Sequence, residues 1–155
     1  MSTSTLSVRL AGPDDALALV PLCAAHAHYE QIDYRPAGHA QRLADAIAAQ
    51  RVWIWVAEDE REFRGYAAAS REFSTLTATS YLHLDCLYVD ADHRGQQLGA
   101  RLLAAVKSKA KDLACTQLQC QTPDWNSRAL RFYEREGATR LVKSRLYWAL
   151  DDSEV

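Results

Sequence analysis

Several large protein classes are excluded by what this sequence lacks. It has only four cysteines, Cys23, Cys86, Cys115 and Cys120, and no two of them are spaced C-x-x-C. That count is too low for a disulfide scaffold of this length, so the expected state is buried thiols in a reducing compartment. No stretch approaches the ~20 apolar residues that a membrane span requires, and Met1–Leu10 has no apolar signal core. The expectation is a cytoplasmic protein with no membrane partner. Charge of one sign is also missing: 18 basic and 20 acidic residues leave a net −2, which argues against nucleic acid bound through bulk charge. There is no internal repeat, low-complexity segment or linker. One domain over 6–150 is expected, with 1–5 and 151–155 as flexible termini. At 155 residues, 48% of them hydrophobic, the chain can bury roughly two thirds of its unfolded surface.

Within these limits the periodicities alternate between strand and helix. Leu6–Leu10 reads as a first strand. Gly12-Pro13-Asp14-Asp15 is a turn with helix-start chemistry, in which Asp14 can accept from the free amides of the first turn. The helix that follows runs to about Tyr29, and Pro21 should kink or split it. A second helix spans about His39 to Gln50. Three strand-like runs follow, Val52–Ala57, Arg64–Phe73 and Ser80–Asp90, with a turn at Asp59-Glu60-Arg61 between the first two. Helical period returns from about Gly95 to Leu113, with Leu98, Leu102, Val106 and Leu113 as the stripe. Thr116–Thr122 alternates as a strand, Asn126–Glu136 is a short helix closed by Gly137, and Leu141–Leu150 alternates again. The order is β-αα-β-β-β-α-β-α-β. It predicts an α/β protein with helices packed on a mixed sheet.

The most informative segment is Leu84–Leu103. A strand there runs into a polar turn and then Arg94-Gly95-Gln96-Gln97-Leu98-Gly99-Ala100, which opens a helix. The first amides of a helix lack intrahelical acceptors, and the helix dipole adds about half a positive charge. With Arg94 beside them, such a site fits a pyrophosphate. An ordinary helix start with a solvated arginine is the alternative. The segment has no Gly-Lys-Ser/Thr and no G-x-G-x-x-G, so it is neither a Walker loop nor a dinucleotide fingerprint.

Arg94, Gln97 and Gly99 resemble the acetyl-CoA pyrophosphate loop of the Gcn5-related N-acetyltransferases (GNAT), whose pattern is Arg or Gln, two residues, Gly, one residue, then Gly or Ala. Gln97 stands where the family has its middle glycine. Backbone donation survives there if the residue keeps helical dihedrals. A second stretch resembles the family too: Asn126, then a helix carrying Ala129 and Phe132-Tyr133, then Gly137-Ala138. The resemblance covers essentially the whole chain from Leu6, and in appearance it is nearest to diamine and other small-amine acetyltransferases. It implies a central mixed six- to seven-stranded sheet with four helices, acetyl-CoA as cosubstrate, no metal, and a homodimer.

The resemblance also implies roles. Transfer from a thioester to an amine needs a neutral amine, a donor to the developing oxyanion and a proton for the leaving thiolate. Backbone groups of Leu87, Tyr88 and Val89 would hold the coenzyme in a split between neighbouring strands, with the Leu87 amide on the acetyl oxygen. Gly95, Gln96, Leu98 and Ala100 complete the phosphate loop. Tyr133 would protonate the thiolate; a phenol has a pKa of ~10 and is protonated at neutral pH. Its other reading is a core aromatic. Asn126 is read as an N-cap, a pantetheine contact, or both. Arg128 either reaches the coenzyme phosphates or faces solvent.

By strict alternation Tyr81, His83, Asp85, Leu87 and Val89 share one face. Asp85 matches the position of a catalytic Glu in diamine-type members. As a half-buried carboxylate it would take the amine proton, directly or through water, or else serve as a structural ion pair. His83 is a second candidate base or a packed strand histidine. His26, His28, Tyr29 and Glu30, followed by Asp33 and Tyr34, end the first helix where the family shapes its acceptor pocket; acids with aromatics suit a cationic amine. Trp53 and Trp55 read as sheet packing. The function implied is acetyl transfer to a small primary amine by direct attack. A protein or peptide acceptor, and a non-catalytic acyl-CoA-binding module, are the alternatives.

Overall fold

The computed structural model describes residues 6–151. Apart from Asp151, the expected flexible termini lie outside the described residues. Two compact units divide the chain after Pro123.

The first unit is built on a sheet of β1 (Ser7–Leu10), β2 (Trp53–Asp59), β3 (Glu62–Ser74), β4 (Thr79–Val89) and β5 (Leu118–Cys120). The strands lie in chain order, with every pairing antiparallel except β4 with β5. The β2–β3 turn falls where expected: Glu60 and Arg61 both have positive φ, at 49° and 69°, the twist that a two-residue hairpin needs. One face of the sheet carries α1 (Ala16–Tyr29) and α2 (His39–Ala48). There Leu19, Leu22 and Ile47 pack on Ile54, Val56, Tyr66 and Ala68. On the other face lies α3 (Leu98–Asp112), whose Leu98, Leu102 and Val106 are fully buried. The alternate sheet residues Ala67 and Ala69 are also fully buried, and their small side chains let that helix sit close.

Some expectations do not hold. Of the kink or split expected at Pro21, the split does not occur: α1 runs unbroken through it, and Pro21 is exposed. The carboxylate at the preceding turn is Asp15, not Asp14: it accepts from the Gly12 amide at 2.8 Å and pairs with Arg9 at 2.9 Å. The sheet has five strands among the described residues, fewer than the six or seven implied. The missing strand is Leu141–Leu150, which has no strand pairing. Its Leu141, Val142, Leu146, Trp148 and Leu150 are all exposed. Alternation gives a segment two faces, but only ladder bonds to a neighbour make it a strand.

The second unit holds α4 (Ser127–Arg135). The side-chain oxygen of Asn126 accepts from the Ala129 amide at 3.2 Å, so Asn126 is its N-cap. At the other end Gly137 has φ +99°. Its amide bonds to Glu134 O and that of Ala138 to Tyr133 O, at 3.0 and 2.9 Å. A φ this large favours a residue without a Cβ.

Candidate active site

The site starts from an irregularity in β4. Ala69 pairs with Leu84 and Ala68 with Cys86, so Asp85 is an extra residue with no partner on β3. It is a β-bulge, which bends the strand and breaks its alternation. Strict alternation across Tyr81–Val89 is therefore wrong. Up to the bulge, His83 lies opposite Ser70, on the face of Ala68 and Tyr66 that α1 covers; beyond it, Leu87 lies opposite Ala67 on the α3 face. Asp85 is exposed, not half-buried, and its Oδ2 accepts from the Cys86 thiol at 3.5 Å.

The same bulge opens an edge. Pairing between β4 and β5 covers Leu82–Leu84 with Leu118–Cys120 and then stops. The Asp90 amide donates to Arg64 O on β3, so the backbone groups of Cys86 and Tyr88 point the same way. Those of Leu87 and Val89 then point to the opposite edge, past the end of β5. Gly65 supports this stretch from behind: a Cβ there would lie 2.9 Å from the Tyr88 carbonyl oxygen.

Asp90 then redirects the chain. It accepts from the amides of Asp92 and His93 and from His93 Nδ1, at 2.9, 3.2 and 2.9 Å, and caps the turn Ala91–His93. Burial opposes its charge, yet the His93 side chain and the two amides hold its pKa below the usual carboxylate value. Arg94 follows. Its Nε donates to Val89 O at 3.0 Å, and its Cζ lies 5.2 Å from the Tyr29 ring centre and 5.7 Å from that of Tyr88.

Gly95 and Gln97 both have positive φ, at 85° and 61°. Gln97 does not meet the condition of helical dihedrals: it is a left-handed N-cap for α3, with no side-chain capping bond. The first intrahelical bond runs from the Arg101 amide to Gln97 O. The amides of Leu98, Gly99 and Ala100 thus start the helix without acceptors inside it. A side chain in left-handed backbone costs about 1 kcal/mol. Gln97→Gly is accordingly expected to raise stability by about 1 kcal/mol in chemical denaturation, with coenzyme A affinity undiminished in calorimetry.

The end of α1 is drawn into this region. Tyr29 lies against Arg94. His26, buried, stacks on Tyr88 with ring centres 5.1 Å apart and planes at 20°. Its Nδ1 is 2.9 Å from the Tyr66 hydroxyl and its Nε2 is 3.3 Å from Glu30 Oε1. Burial, reinforced by Cys86 and Cys23, pushes the Tyr66 hydroxyl far above the usual phenol range, and burial likewise raises the Cys86 thiol. Tyr66 was not among the site candidates read from the sequence, and His26 was read there only as part of the helix end that shapes the acceptor pocket. The signal was there in part, because His26 and Glu30 are one helical turn apart. His28 is exposed and His83 half-buried; neither joins this cluster. In the second unit Asn126 is buried, Tyr133 is half-buried with its ring 5.4 Å from that of Phe132, and Arg128 is exposed.

The run from Leu87 to Ala100 therefore combines a strand edge past the end of β5, a guanidinium anchored on its Val89 carbonyl, and helix-start amides. These are donors suited to an extended ligand ending in a diphosphate. A family profile described as the acetyltransferase (GNAT) family matches residues 22–138. The chain belongs to that family. The GNAT chain is also 30% identical over 137 residues to the uncharacterized N-acetyltransferase YhfO of Bacillus subtilis (strain 168), covering 85% of this chain and 89% of that protein. It is 32% identical over 80 residues to the thialysine N-epsilon-acetyltransferase of Bos taurus, covering 52% of this chain and 46% of the bovine protein. The match thus spans about half the length of that relative. In fold it resembles an aminoglycoside acetyltransferase from an uncultured soil metagenomic sample, crystallised with trehalose. The TM-score is 0.83 at 15% identity, covering 94% of this chain and 97% of that one. Among the described residues no helix is long and apolar enough to cross a membrane, and no group of three His, Cys, Asp or Glu is arranged to hold a metal.

Proposed function

We propose that this GNAT chain transfers the acetyl group of acetyl-CoA to the primary amine of a small molecule, by direct attack in a ternary complex. The observation that carries the reading is the bulge at Asp85 with the open strand edge beyond it, leading without interruption into Arg94 and the amides that begin α3. Acetyl-CoA, when bound, supplies the activated acyl group. The chain's own residues bind and orient it. The Leu87 and Val89 backbone faces the slot between β4 and β5, and the Leu87 amide is the donor to the acetyl oxygen. Gly95–Ala100 holds the diphosphate. Asn126 and Arg128 are assigned to the coenzyme side, and Tyr133 holds the proton that the departing thiolate takes. Asp85, exposed at the bulge, accepts the amine proton through water.

The relatives named for thialysine support a small acceptor whose amine ends a flexible side chain. The test is thiol release from acetyl-CoA on the purified protein, with thialysine, lysine, a diamine and an aminoglycoside as acceptors. Release above the amine-free rate with at least one of them is the expected result. No release with any of them, together with no calorimetric heat for coenzyme A, overturns the reading.

A further inference from the structure

The Arg94 side chain is more confined than a phosphate-loop arginine needs to be for its charge alone. Its Nε is spent on Val89 O at 3.0 Å, and its guanidinium lies against two rings, Tyr29 at 5.2 Å and Tyr88 at 5.7 Å. No carboxylate pairs with it among the described residues. A long, rotamer-rich side chain that must be ordered when a ligand binds weakens that binding. One already held by rings and a carbonyl has met that requirement beforehand. The rings are themselves fixed. Tyr88 belongs to β4 and is stacked on buried His26, which Tyr66 and Glu30 hold from two sides. Tyr29 is the last residue of α1, one turn beyond His26.

We infer that Tyr29 is a positioning residue of the coenzyme's diphosphate site, acting through Arg94, rather than part of the acceptor pocket. The inference rests on the function proposed above and assigns the end of α1 to the other substrate. A planar guanidinium laid on an aromatic face keeps its Nη donors in one plane and free for an anion. The contact with the ring does not use those donors. Removing the ring leaves the charge in place but returns the side chain to many rotamers, so affinity for the phosphate-bearing ligand falls while the fold remains.

The test is calorimetry of coenzyme A on the full chain and its variants, with thermal melting to confirm folding. Tyr29→Leu is expected to weaken coenzyme A binding about three- to fivefold. Tyr29→Met, a second variant without a ring, should do the same, and Tyr29→Phe, which keeps the ring, should restore affinity to within about twofold of the unchanged protein. In an Arg94→Met background Tyr29→Leu should have no further effect, because its route to the ligand has been removed. Undiminished affinity in folded Tyr29→Leu or Tyr29→Met overturns the inference, as does a Tyr29→Leu effect of the same size without Arg94. Absence of heat with the unchanged protein would instead remove the coenzyme reading itself, so the two failures are distinguishable.

Discussion

Tyr133→Phe is expected to lower kcat by about 100-fold or more, with little change in the affinity for coenzyme A. General acid catalysis contributes about 100- to 10,000-fold in the enzymes where it has been isolated, and this substitution removes only the proton and its oxygen. The ring sits edge-on to Phe132 at 5.4 Å, and the Tyr133 carbonyl accepts from the Ala138 amide in the closure of α4. Phenylalanine preserves both, and the melting temperature checks that the variant folds. The measurement is single-turnover thiol release, so that product dissociation does not hide the chemical step. An unchanged single-turnover rate in a folded Tyr133→Phe protein would exclude the hydroxyl as the acid. A lower rate with equally weakened coenzyme binding would mean that the hydroxyl serves binding instead.

The order of elements was legible because each carries its own period, and the turns are marked by residues suited to them. Glu60-Arg61 and Gly137 fall where the sequence places a turn and a helix end. What was not legible depends on partners distant in sequence. The bulge leaves no mark in composition, since Asp85 simply continues a polar-apolar alternation; its partner's register on β3 decides which residue is extra. The early end of β5 follows from it: Thr116–Thr122 alternates throughout, and Thr116 and Gln117 still bond to Ser80 and Leu82, yet pairing stops after Cys120, where β4 bends away. His26 reads as the polar end of a helix until Tyr66, forty residues on, is seen to receive it. Gln97 shows a different limit. A glutamine where the family has glycine suggests relaxed demands, but the backbone is left-handed there all the same, and the local strain is accepted at the mouth of the site.

Deleting Asp85 should abolish turnover while leaving a folded protein, an outcome that separates the bulge from the carboxylate it carries. Without the extra residue β4 reads Leu82, His83, Leu84, Cys86, Leu87, Tyr88, an uninterrupted alternation. Leu82, Leu84 and Leu87 keep the α3 face, and His83, Cys86 and Tyr88 keep the opposite one, because the register with β3 already steps over Asp85. The core is thus conserved, and cooperative unfolding should persist. The bend is what disappears. A regular β4 can continue its parallel pairing with the residues after Cys120, closing the slot and engaging the Leu87 and Val89 backbone in ladder bonds. Coenzyme A binding should become undetectable by calorimetry. Turnover should fall by at least about 100-fold, the scale on which a misplacement of 1 Å acts. Asp85→Ala is the control: it retains the bulge, so coenzyme A affinity should stay within about twofold of the unchanged protein, and any loss of rate then belongs to the carboxylate. A deletion variant that folds and still binds coenzyme A would show that the open edge beside β5 is not where the coenzyme lies.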